Sequence, residues 1–459
     1  MTDRQEALFE PSMLDRLTAR QFNILRSPKN NGTAAVDSQE YLAELGISIQ
    51  ESHQSIQFLP NTNELVHRWS PYVQGFSAKF VQRTLERYKR DYQSPEILDP
   101  FAGSGTVPVQ SKINGFESYG VELNPLLHFV AETKVNSWNT NPDQLLKVSR
   151  HLSVRKSFES PDFLKSNKQF NSQVLLNLEK IKGGIDSIEP ASEMERHIKD
   201  LMLLGFAAIL IDCSNLKRTP CLGYSRTKIV DDNAPFNLFA KKMEEIAEDL
   251  WLLQNHYRHY INTLSEIYLA NSMTFEHPVN YDLAITSPPY MNGLDYVMNY
   301  KIEMGWLGYV QSHKELKHIK DSMVVCDNVS KGLIHTFAST NSRYSNEWIE
   351  RIKNGIREHI ARRGAYRRGD MPEIVHKYFD DMHKIMLKVV QALKPGGRFI
   401  LVVGDSLIAD VYLPTDLILA RMGKEMGLSI EGIEKARNRH SGQVRTYKLR
   451  ETIITLKKE

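Results

Sequence analysis

This sequence of 459 residues contains few cysteines and only short apolar runs, and its positive and negative charges nearly balance. The three cysteines, at positions 213, 221 and 326, form no close Cys-x-x-Cys pair, so we expect neither a disulfide framework nor a metal site. The longest apolar run, Leu201 to Ile211, is too short to span a bilayer, and no apolar signal segment follows the first charged residues. We therefore predict a soluble, cytoplasmic protein without membrane contact.

A strand, a tight glycine turn and a helix are predicted around the sequence Ile97-Leu-Asp-Pro-Phe-Ala-Gly-Ser-Gly-Thr106. In an open parallel sheet, ligands bind beyond the carboxyl ends of the strands, and Gly103 and Gly105 would let a ligand approach the backbone without a Cβ in the way. The turn has neither the Gly-Lys-Ser/Thr of a P-loop nor the spaced glycines of a dinucleotide site. The pattern therefore indicates a cofactor loop of another kind.

A second strand, Tyr119-Gly-Val-Glu122, ends in an acid whose carboxylate can accept both hydroxyls of a ribose. Together, Asp99-Pro-Phe-x-Gly-x-Gly-Thr106 and Gly120-x-Glu-x-Asn-Pro125 resemble motifs I and II of the S-adenosylmethionine-dependent amino-methyltransferases. The resemblance implies a class I, Rossmann-like α/β sheet that binds S-adenosylmethionine. The cofactor contacts that it implies are Asp99, Pro100, Phe101, Gly103, Gly105, Thr106, Glu122 and Asn124.

The segment before the glycine loop contains an aromatic turn, His67-Arg-Trp-Ser-Pro-Tyr72, and a helical pattern from Phe76 to Tyr88. The simplest interpretation is an amphipathic helix packed on the sheet. The segment also resembles the motif that precedes motif I in circularly arranged amino-methyltransferases, where the turn touches the methionine end of the cofactor. This resemblance adds His67, Trp69 and Phe76 as candidate cofactor contacts.

The candidate catalytic segment, Thr286-Ser-Pro-Pro-Tyr290, directly follows a strand predicted from position 281 to position 285. Pro289 lacks an N–H and keeps Pro288 extended, so the Pro288 carbonyl stays available as an acceptor beside the Ser287 hydroxyl. Two acceptors on the two N–H bonds of an exocyclic amino group would free its lone pair for a methyl donor at roughly 3–3.5 Å. Tyr290 can stack on an extruded base, and no metal is needed.

This segment resembles motif IV of the DNA amino-methyltransferases, and its serine-first form is more typical of the cytosine-N4 enzymes than of the adenine-N6 enzymes. The resemblance implies site-specific methylation of double-stranded DNA at cytosine N4, as part of a restriction–modification system with a cognate endonuclease. Adenine N6 remains the alternative, because the cofactor motif precedes the catalytic motif here, the reverse of the order common among cytosine-N4 enzymes. An RNA methyltransferase acting on a base amine would share both motifs, and a silent nucleic-acid-binding relative would be expected to lack Ser287 or the glycines.

Two inserts lie outside the resemblance, at 136–262 and 308–371, and both are candidate DNA-binding regions. The formal net charge of +3 permits a nucleic-acid partner but requires any basic surface to be local. Both inserts are predicted to be mainly helical, and the first has a predicted loop that carries Arg226 and Lys228. In the second, residues 357–368 contain five arginines and one acid, Glu358. In each insert a solvated surface is the alternative. The DNA contacts predicted in the second insert are Arg362, Arg363, Arg367 and Arg368.

The remaining segments complete the predicted domain plan. Residues 1–64 form a capping arm, and the catalytic domain is divided among 65–135, 263–307 and 372–459. Its last part has a helix from Pro372 to Leu393, stopped by Lys394-Pro-Gly-Gly397, and a buried strand that ends at Gly404. Two further strands between positions 428 and 457 would form a C-terminal antiparallel hairpin. The resemblance also implies an acid after the next strand that would contact the adenine ring of the cofactor, and Asn271-Ser272 stand in its place.

Overall fold

The computed structural model of the chain describes residues 37–52, 56–57, 59–72, 75–154, 158–219, 221–293, 295–326, 328–365, 367–441 and 446–459. Most of the predicted N-terminal arm therefore lies outside the described residues, as does Tyr366 within the arginine-rich stretch.

Twelve described strands form one large sheet and two small hairpins. The strands are β1 (Ile49–Glu51), β2 (Ile97–Asp99), β3 (Ser118–Glu122), β4 (Leu216–Arg218), β5 (Leu222–Tyr224), β6 (Ser265–Leu269), β7 (Tyr281–Thr286), β8 (Leu393–Gly404), β9 (Ser406–Ile408), β10 (Val411–Leu413), β11 (Leu428–His440) and β12 (Lys448–Lys458). The large sheet has the order β1-β11-β12-β8-β7-β2-β3-β6. The small hairpins are β4–β5 and β9–β10.

The five strands from β6 to β8 in this order are parallel, whereas β12 runs antiparallel to both of its neighbours, β8 and β11. The C-terminal strands are thus an antiparallel hairpin added to a parallel sheet. This is the Rossmann-like α/β fold with a C-terminal hairpin that the resemblance implies, and the predicted fold class is confirmed.

The described helices surround the sheet and fill both inserts. They are α1 (Gln39–Leu45), α2 (Ala78–Tyr88), α3 (Thr106–Ile113), α4 (Pro125–Asn136), α5 (Pro142–Arg150), α6 (Ser166–Gln169), α7 (Ser172–Asp186), α8 (Glu193–Ile209), α9 (Ala234–His256), α10 (Tyr296–Asn299), α11 (Lys301–Trp306), α12 (His313–Ser322), α13 (Lys331–Ser339), α14 (Glu347–Arg363), α15 (Met371–Ala392) and α16 (Thr415–Glu425). Among the residues that the structure describes, none of these helices has the length and apolar character that crossing a bilayer requires.

The parallel strands are buried on both faces because successive side chains point in opposite directions. In β7, Leu283 and Ile285 pack in the cluster that contains α2, whereas Ala284 packs in the cluster that contains α15 and α16. A third cluster joins α4 to the insert helices α5, α7, α8 and α9. The first insert is therefore packed onto the catalytic sheet through α4.

Local signals predicted most of these elements, with one clear difference. The helix predicted after the glycine turn is α3, which begins at Thr106, and α15 ends at Ala392, one residue before the predicted end. The Lys394-Pro-Gly-Gly397 segment, predicted as a stop, instead belongs to β8, which begins at Leu393 and pairs there with Tyr281. Helices occupy both inserts as expected, and the first insert also contains β4–β5. The division of the chain into domains stays a prediction.

Candidate active site

The glycine loop and the Ser-Pro-Pro-Tyr segment leave the sheet side by side. Strands β2 and β7 are parallel neighbours, with Ile97 opposite Leu283. Their last residues therefore meet at the carboxyl edge of the sheet, where the Thr286 hydroxyl donates a hydrogen bond to Asp99 Oδ1 at 2.6 Å. This bond joins two motifs that lie 187 positions apart in the chain.

A cavity opens beside this hydrogen bond. Six residues predicted for the site line it: Pro100, Phe101, Gly103, Glu122, Ser287 and Pro289. The structure thus brings parts of both motifs onto one cavity, as the ends of neighbouring parallel strands should.

Glu122 is the acid in the lining of this cavity. Its Oε2 accepts a hydrogen bond from the Gly103 N–H at 2.8 Å, and its Oε1 accepts one from the Asn124 N–H at 2.8 Å. Burial raises the pKa of Glu122 to about 7, and these backbone bonds oppose the rise. Because a carboxylate has about four acceptor positions, both oxygens can still accept a hydrogen bond from a ligand.

Asp99 carries a buried oxygen that lacks a hydrogen-bond partner among the described residues. Oδ1 accepts from Thr286 and from the Phe101 N–H at 3.0 Å, whereas Oδ2 is buried without a partner. Burial raises the pKa of Asp99 to about 7. A buried acceptor without a donor costs free energy, so a donor from a bound ligand would be favourable at this oxygen.

The two glycines of the loop have different roles. Both have positive φ, +52° at Gly103 and +83° at Gly105, where a side chain would be strained. A Cβ at Gly103 would lie 2.8 Å from the Tyr72 hydroxyl, whereas one at Gly105 would lie 3.1 Å from Cα and Cβ of Ala131 in α4. Gly105 therefore lets α4 approach the loop, and its contact with the cofactor stays a prediction.

Three further predicted contacts are also directed away from the cavity. His67 is buried with Nε2 3.0 Å from Gln110 Nε2, and burial, with a smaller effect of the Lys134 cation, lowers the pKa of His67 to about 3. The Trp69 indole N–H donates to Asp249 of α9 at 2.8 Å. Phe76 packs edge-on against Phe80 of α2 at 5.9 Å.

The aromatic turn nevertheless reaches the cavity through Tyr72, a residue that was quoted in the motif but not selected. Tyr72 lines the cavity and stacks on Tyr296 with ring centroids 6.2 Å apart. The feature of the sequence that could have singled out Tyr72 is its position directly after Ser70 and Pro71.

Asn124 and Thr106 serve the starts of helices. The Asn124 side chain accepts from the N–H groups of Leu126 and Leu127, at 3.0 and 3.5 Å, and so caps α4. Its backbone N–H, not its side chain, orients Glu122. Thr106 is the buried first residue of α3.

Asn271 and Ser272, which stand where the resemblance implies an acid, also line the cavity. The Ser272 hydroxyl donates to the Pro100 carbonyl, and the Asn271 amide donates to the Ser322 carbonyl at 3.0 Å. Both side chains therefore hold the walls of the cavity together.

The candidate catalytic segment leaves β7 without entering another helix or strand, and α15 holds it. Residues 287–290 belong to no helix or strand, and Pro288 is buried. The Pro289 carbonyl accepts a hydrogen bond from Tyr378 of α15 at 3.0 Å. Burial raises the pKa of Tyr290, while a hydrogen bond with Ser287 opposes the rise.

Arg439 of β11 is a neighbour of Tyr290 that sequence reasoning missed. Its guanidinium carbon lies 5.4 Å from the Tyr290 ring centroid. A Cβ at Gly404 would lie 2.9 Å from the same ring, so the absence of a side chain there makes room for Tyr290. The C-terminal hairpin thus contributes to the catalytic edge of the sheet.

The predicted DNA-contacting cations are less free than the sequence suggested. Lys228 donates to the carbonyls of Ile211 and Leu216 and anchors its own loop, whereas Arg226 is exposed. Four of the five arginines in residues 357–368 form ion pairs, two of them with acids from outside the insert, and their contact with DNA stays a prediction. The ion pairs are Arg357–Glu373, Arg362–Glu358, Arg363–Asp410 and Arg368–Asp370.

Arg362 and Arg363 still keep 74% and 63% of their side-chain surface exposed, whereas Arg368 keeps only 15%. Exposed ion pairs contribute little free energy, so phosphates could replace the partners of the first two. Arg367 has a left-handed backbone, with φ +55°.

The pKa values of Asp99 and Glu122 predict how stability depends on pH. Because burial raises both pKa values to about 7, the folded protein binds protons more tightly than the unfolded chain. The stabilising contribution is full below about pH 4 and is lost as pH rises through 7, at up to about 1.4 kcal/mol per pH unit and group. Denaturant unfolding between pH 5 and 7 should show a shallower loss in Glu122→Gln than in wild type. An equal slope in both proteins would contradict the assigned pKa of Glu122.

Comparisons with known proteins identify relatives over most of the chain. No family model matches. The chain is 24% identical over 422 residues to Type II methyltransferase M.AvaI from Nostoc sp., covering 83% of each protein. It is 22% identical over 442 residues to M.BsoBI from Geobacillus stearothermophilus, covering 85% of each, and 22% identical over 423 residues to M.MvaI from Kocuria varians, covering 84% and 87%.

Among solved structures, rRNA methyltransferase aviRa from Streptomyces viridochromogenes matches with 8% identity and a TM-score of 0.33, covering 89% of this chain and 96% of that one. A SAM-dependent methyltransferase from Methanosarcina mazei matches with 9% identity and a TM-score of 0.29, covering 82% and 96%.

Proposed function

We propose that this chain, which belongs to the S-adenosylmethionine-dependent DNA methyltransferases, methylates the exocyclic N4 amino group of a cytosine extruded from double-stranded DNA. The observation that carries the proposal is the Thr286–Asp99 hydrogen bond, because it sets Ser287 and Pro289 on the same cavity as Gly103 and Glu122. Methyl donor and acceptor need to meet within roughly 3.5 Å, and a shared cavity permits this.

The residues present fit S-adenosylmethionine, which carries two ribose hydroxyls, an ammonium and a sulfonium. Glu122, held by two backbone N–H groups, would bind the ribose hydroxyls. The partnerless Asp99 Oδ2 provides a buried acceptor for a cofactor donor. Phe101 would cover the cofactor from the loop. When bound, the cofactor supplies an electrophilic methyl group.

The catalytic segment would hold the target amino group by two acceptors. These are the Ser287 hydroxyl oxygen and the Pro288 carbonyl, and together they would align the nitrogen lone pair with the methyl group. Tyr378 fixes the following Pro289 carbonyl, so the segment does not need to reorganise when the base arrives. Tyr290, beside Arg439, would stack on the extruded base.

The serine-first motif supports cytosine as the target. Adenine N6 is the second candidate, and the order of the two motifs along the chain favours it. Because its relatives are named Type II methyltransferases, we also infer that the chain protects one DNA site within a restriction–modification system, with an endonuclease that cleaves the same site.

Replacing Ser287 by alanine should slow the chemical step. One hydrogen bond to the reacting group is lost, worth about 1–3 kcal/mol, so kcat should fall between about 5-fold and 150-fold while cofactor affinity stays unchanged. Single-turnover transfer of labelled methyl groups to duplex DNA measures this rate. The same assay tests the function itself, since labelling of RNA but not of duplex DNA would overturn it.

The Tyr290→Ala variant is compared with Ser287→Ala, because it should affect binding of the extruded base rather than the chemical step. Loss of a stacking face, worth roughly 1–3 kcal/mol, should weaken capture of the extruded base and thus raise the DNA concentration needed for half-maximal rate. Wild-type kinetics in the Ser287→Ala enzyme would contradict the mechanism.

A further inference from the structure

The β4–β5 hairpin of the first insert contacts the segment that follows the catalytic residues. Arg218 of β4 donates to the Asn299 carbonyl at 2.7 Å and to Glu303 Oε1 at 2.7 Å. The Leu222 N–H of β5 donates to the Asn299 side chain at 2.7 Å. The hairpin is therefore attached to α10 and α11, which begin only a few residues after Tyr290.

The ion pair in this contact is almost completely buried. The side chains of Arg218 and Glu303 are 7% and 6% exposed, and the Arg218 guanidinium also lies 4.5 Å from the Tyr300 ring centroid. Because a buried ion pair is costly to break, the hairpin cannot shift far from the catalytic segment.

A groove of about 720 Å³ lies between the hairpin and the residues that follow the catalytic segment. One wall comes from residues 221–224, and the other includes Asn292 and Gly293, which lie two and three positions after Tyr290. Its charged lining residues are the cations Lys301, Lys320 and Arg367 and one acid, Asp295. Cations thus outnumber acids in the lining by three to one, and Lys320 pairs with that acid at 2.7 Å.

The hairpin also presents an exposed aromatic side chain to this groove. Tyr224, the last residue of β5, lines the groove and is 58% exposed. A cationic channel with an accessible aromatic ring is the arrangement by which proteins hold nucleic-acid strands, since cations meet phosphates and the ring stacks on a base.

We propose that this groove holds the DNA strand that flanks the extruded base, with Lys301 against a phosphate and Tyr224 stacked on a neighbouring base. The inference rests on the proposed function and adds the surface that the substrate strand occupies. The Arg218–Glu303 pair then fixes the distance between this strand-binding surface and the catalytic segment.

Cys221 is an internal reporter for the groove, because it is exposed and lines it. In the full-length protein with S-adenosylhomocysteine, a maleimide should modify Cys221 at least fivefold more slowly when a duplex that the protein methylates is bound at saturation. Unchanged reactivity of Cys221 under saturation, verified by fluorescence anisotropy, would overturn the proposal.

The control for this experiment is a cysteine introduced at the opposite edge of the sheet. Asn139 is exposed there and hydrogen-bonds to Asn262, close to the start of β6. In an Asn139→Cys, Cys221→Ser protein, the same duplex should leave the reactivity at position 139 unchanged. Protection at both positions would indicate general shielding and overturn the assignment to the groove.

Substitutions of Tyr224 test the proposal independently of the cysteine reactivity. Tyr224→Ala should raise the Kd for the duplex about tenfold, without change in cofactor affinity, whereas Tyr224→Phe should stay within twofold because the stacking face remains. Lys301→Gln should reduce the slope of log affinity against log salt by about 1. Wild-type DNA affinity in Tyr224→Ala would overturn the proposal while methylation of DNA still stands, whereas absence of methyl transfer in the wild type would overturn both.

Discussion

Glu122→Ala is expected to bind S-adenosylmethionine on the order of 100-fold more weakly than the wild type. The substitution removes both acceptor oxygens and leaves the N–H groups of Gly103 and Asn124 without their partner. Two lost hydrogen bonds of about 1.5 kcal/mol each correspond to about two decades of affinity. Isothermal titration calorimetry of the folded variant measures the change directly.

Two further variants give this experiment its controls. Glu117→Ala changes an exposed acid just before β3 and should bind the cofactor like the wild type. Glu122→Gln keeps one acceptor but turns an amide N–H toward a backbone N–H, so its affinity should fall between the other two. Affinity within threefold of wild type in Glu122→Ala would show that the ribose does not bind at Glu122.

The second large effect is expected on folding. Gly105→Val should lower the free energy of unfolding by about 3 kcal/mol, because a β-branched residue at φ +83° is strained and its Cβ would meet Ala131 at 3.1 Å. Denaturant unfolding of the cofactor-free protein measures the loss.

Gly46→Val is the matched control, because Gly46 also has positive φ, +70°, but a Cβ there would meet nothing within 4 Å. It should lose only about 1–2 kcal/mol, the backbone part of the cost. If Gly105→Val instead kept full stability and lost only cofactor binding, Gly105 would be a cofactor residue and its packing role against α4 would be wrong.

The glycine loop and the catalytic segment were predictable because their signals are local. Asp99 ends an apolar strand, Gly103 and Gly105 permit positive φ, and Pro288–Pro289 prevent a helix. Parallel pairing of β2 and β7 then brings the two segments together, which follows from the fold class once the resemblance implies it.

The aromatic turn was only partly predictable, because the choice among its side chains depends on distant residues. Trp69 is directed away from the cavity by Asp249, which lies 180 positions further along the chain. Tyr72 is directed into the cavity beside Tyr296, which belongs to a helix beyond the catalytic segment. No local pattern carries this information.

The partners of the charged side chains were likewise not predictable from the local sequence. The arginines of the second insert appeared unpaired in the sequence because Asp410, the partner of Arg363, lies 47 positions away. Conversely, the buried Arg218–Glu303 pair joins an insert to α11 across 85 positions, and neither residue stood out in its own stretch. Long-range ion pairs decide which cations remain available for DNA.

Nucleoside mass spectrometry of duplex DNA treated with the protein and S-adenosylmethionine tests the central claim most directly. We expect N4-methylcytosine, absent from DNA treated with the Glu122→Ala variant at the same cofactor concentration. Detection of N6-methyladenine would change the proposed target base from cytosine to adenine but would leave the proposed alignment by Ser287 and Pro288 standing. The appearance of 5-methylcytosine, or of no methylated base, would contradict the account.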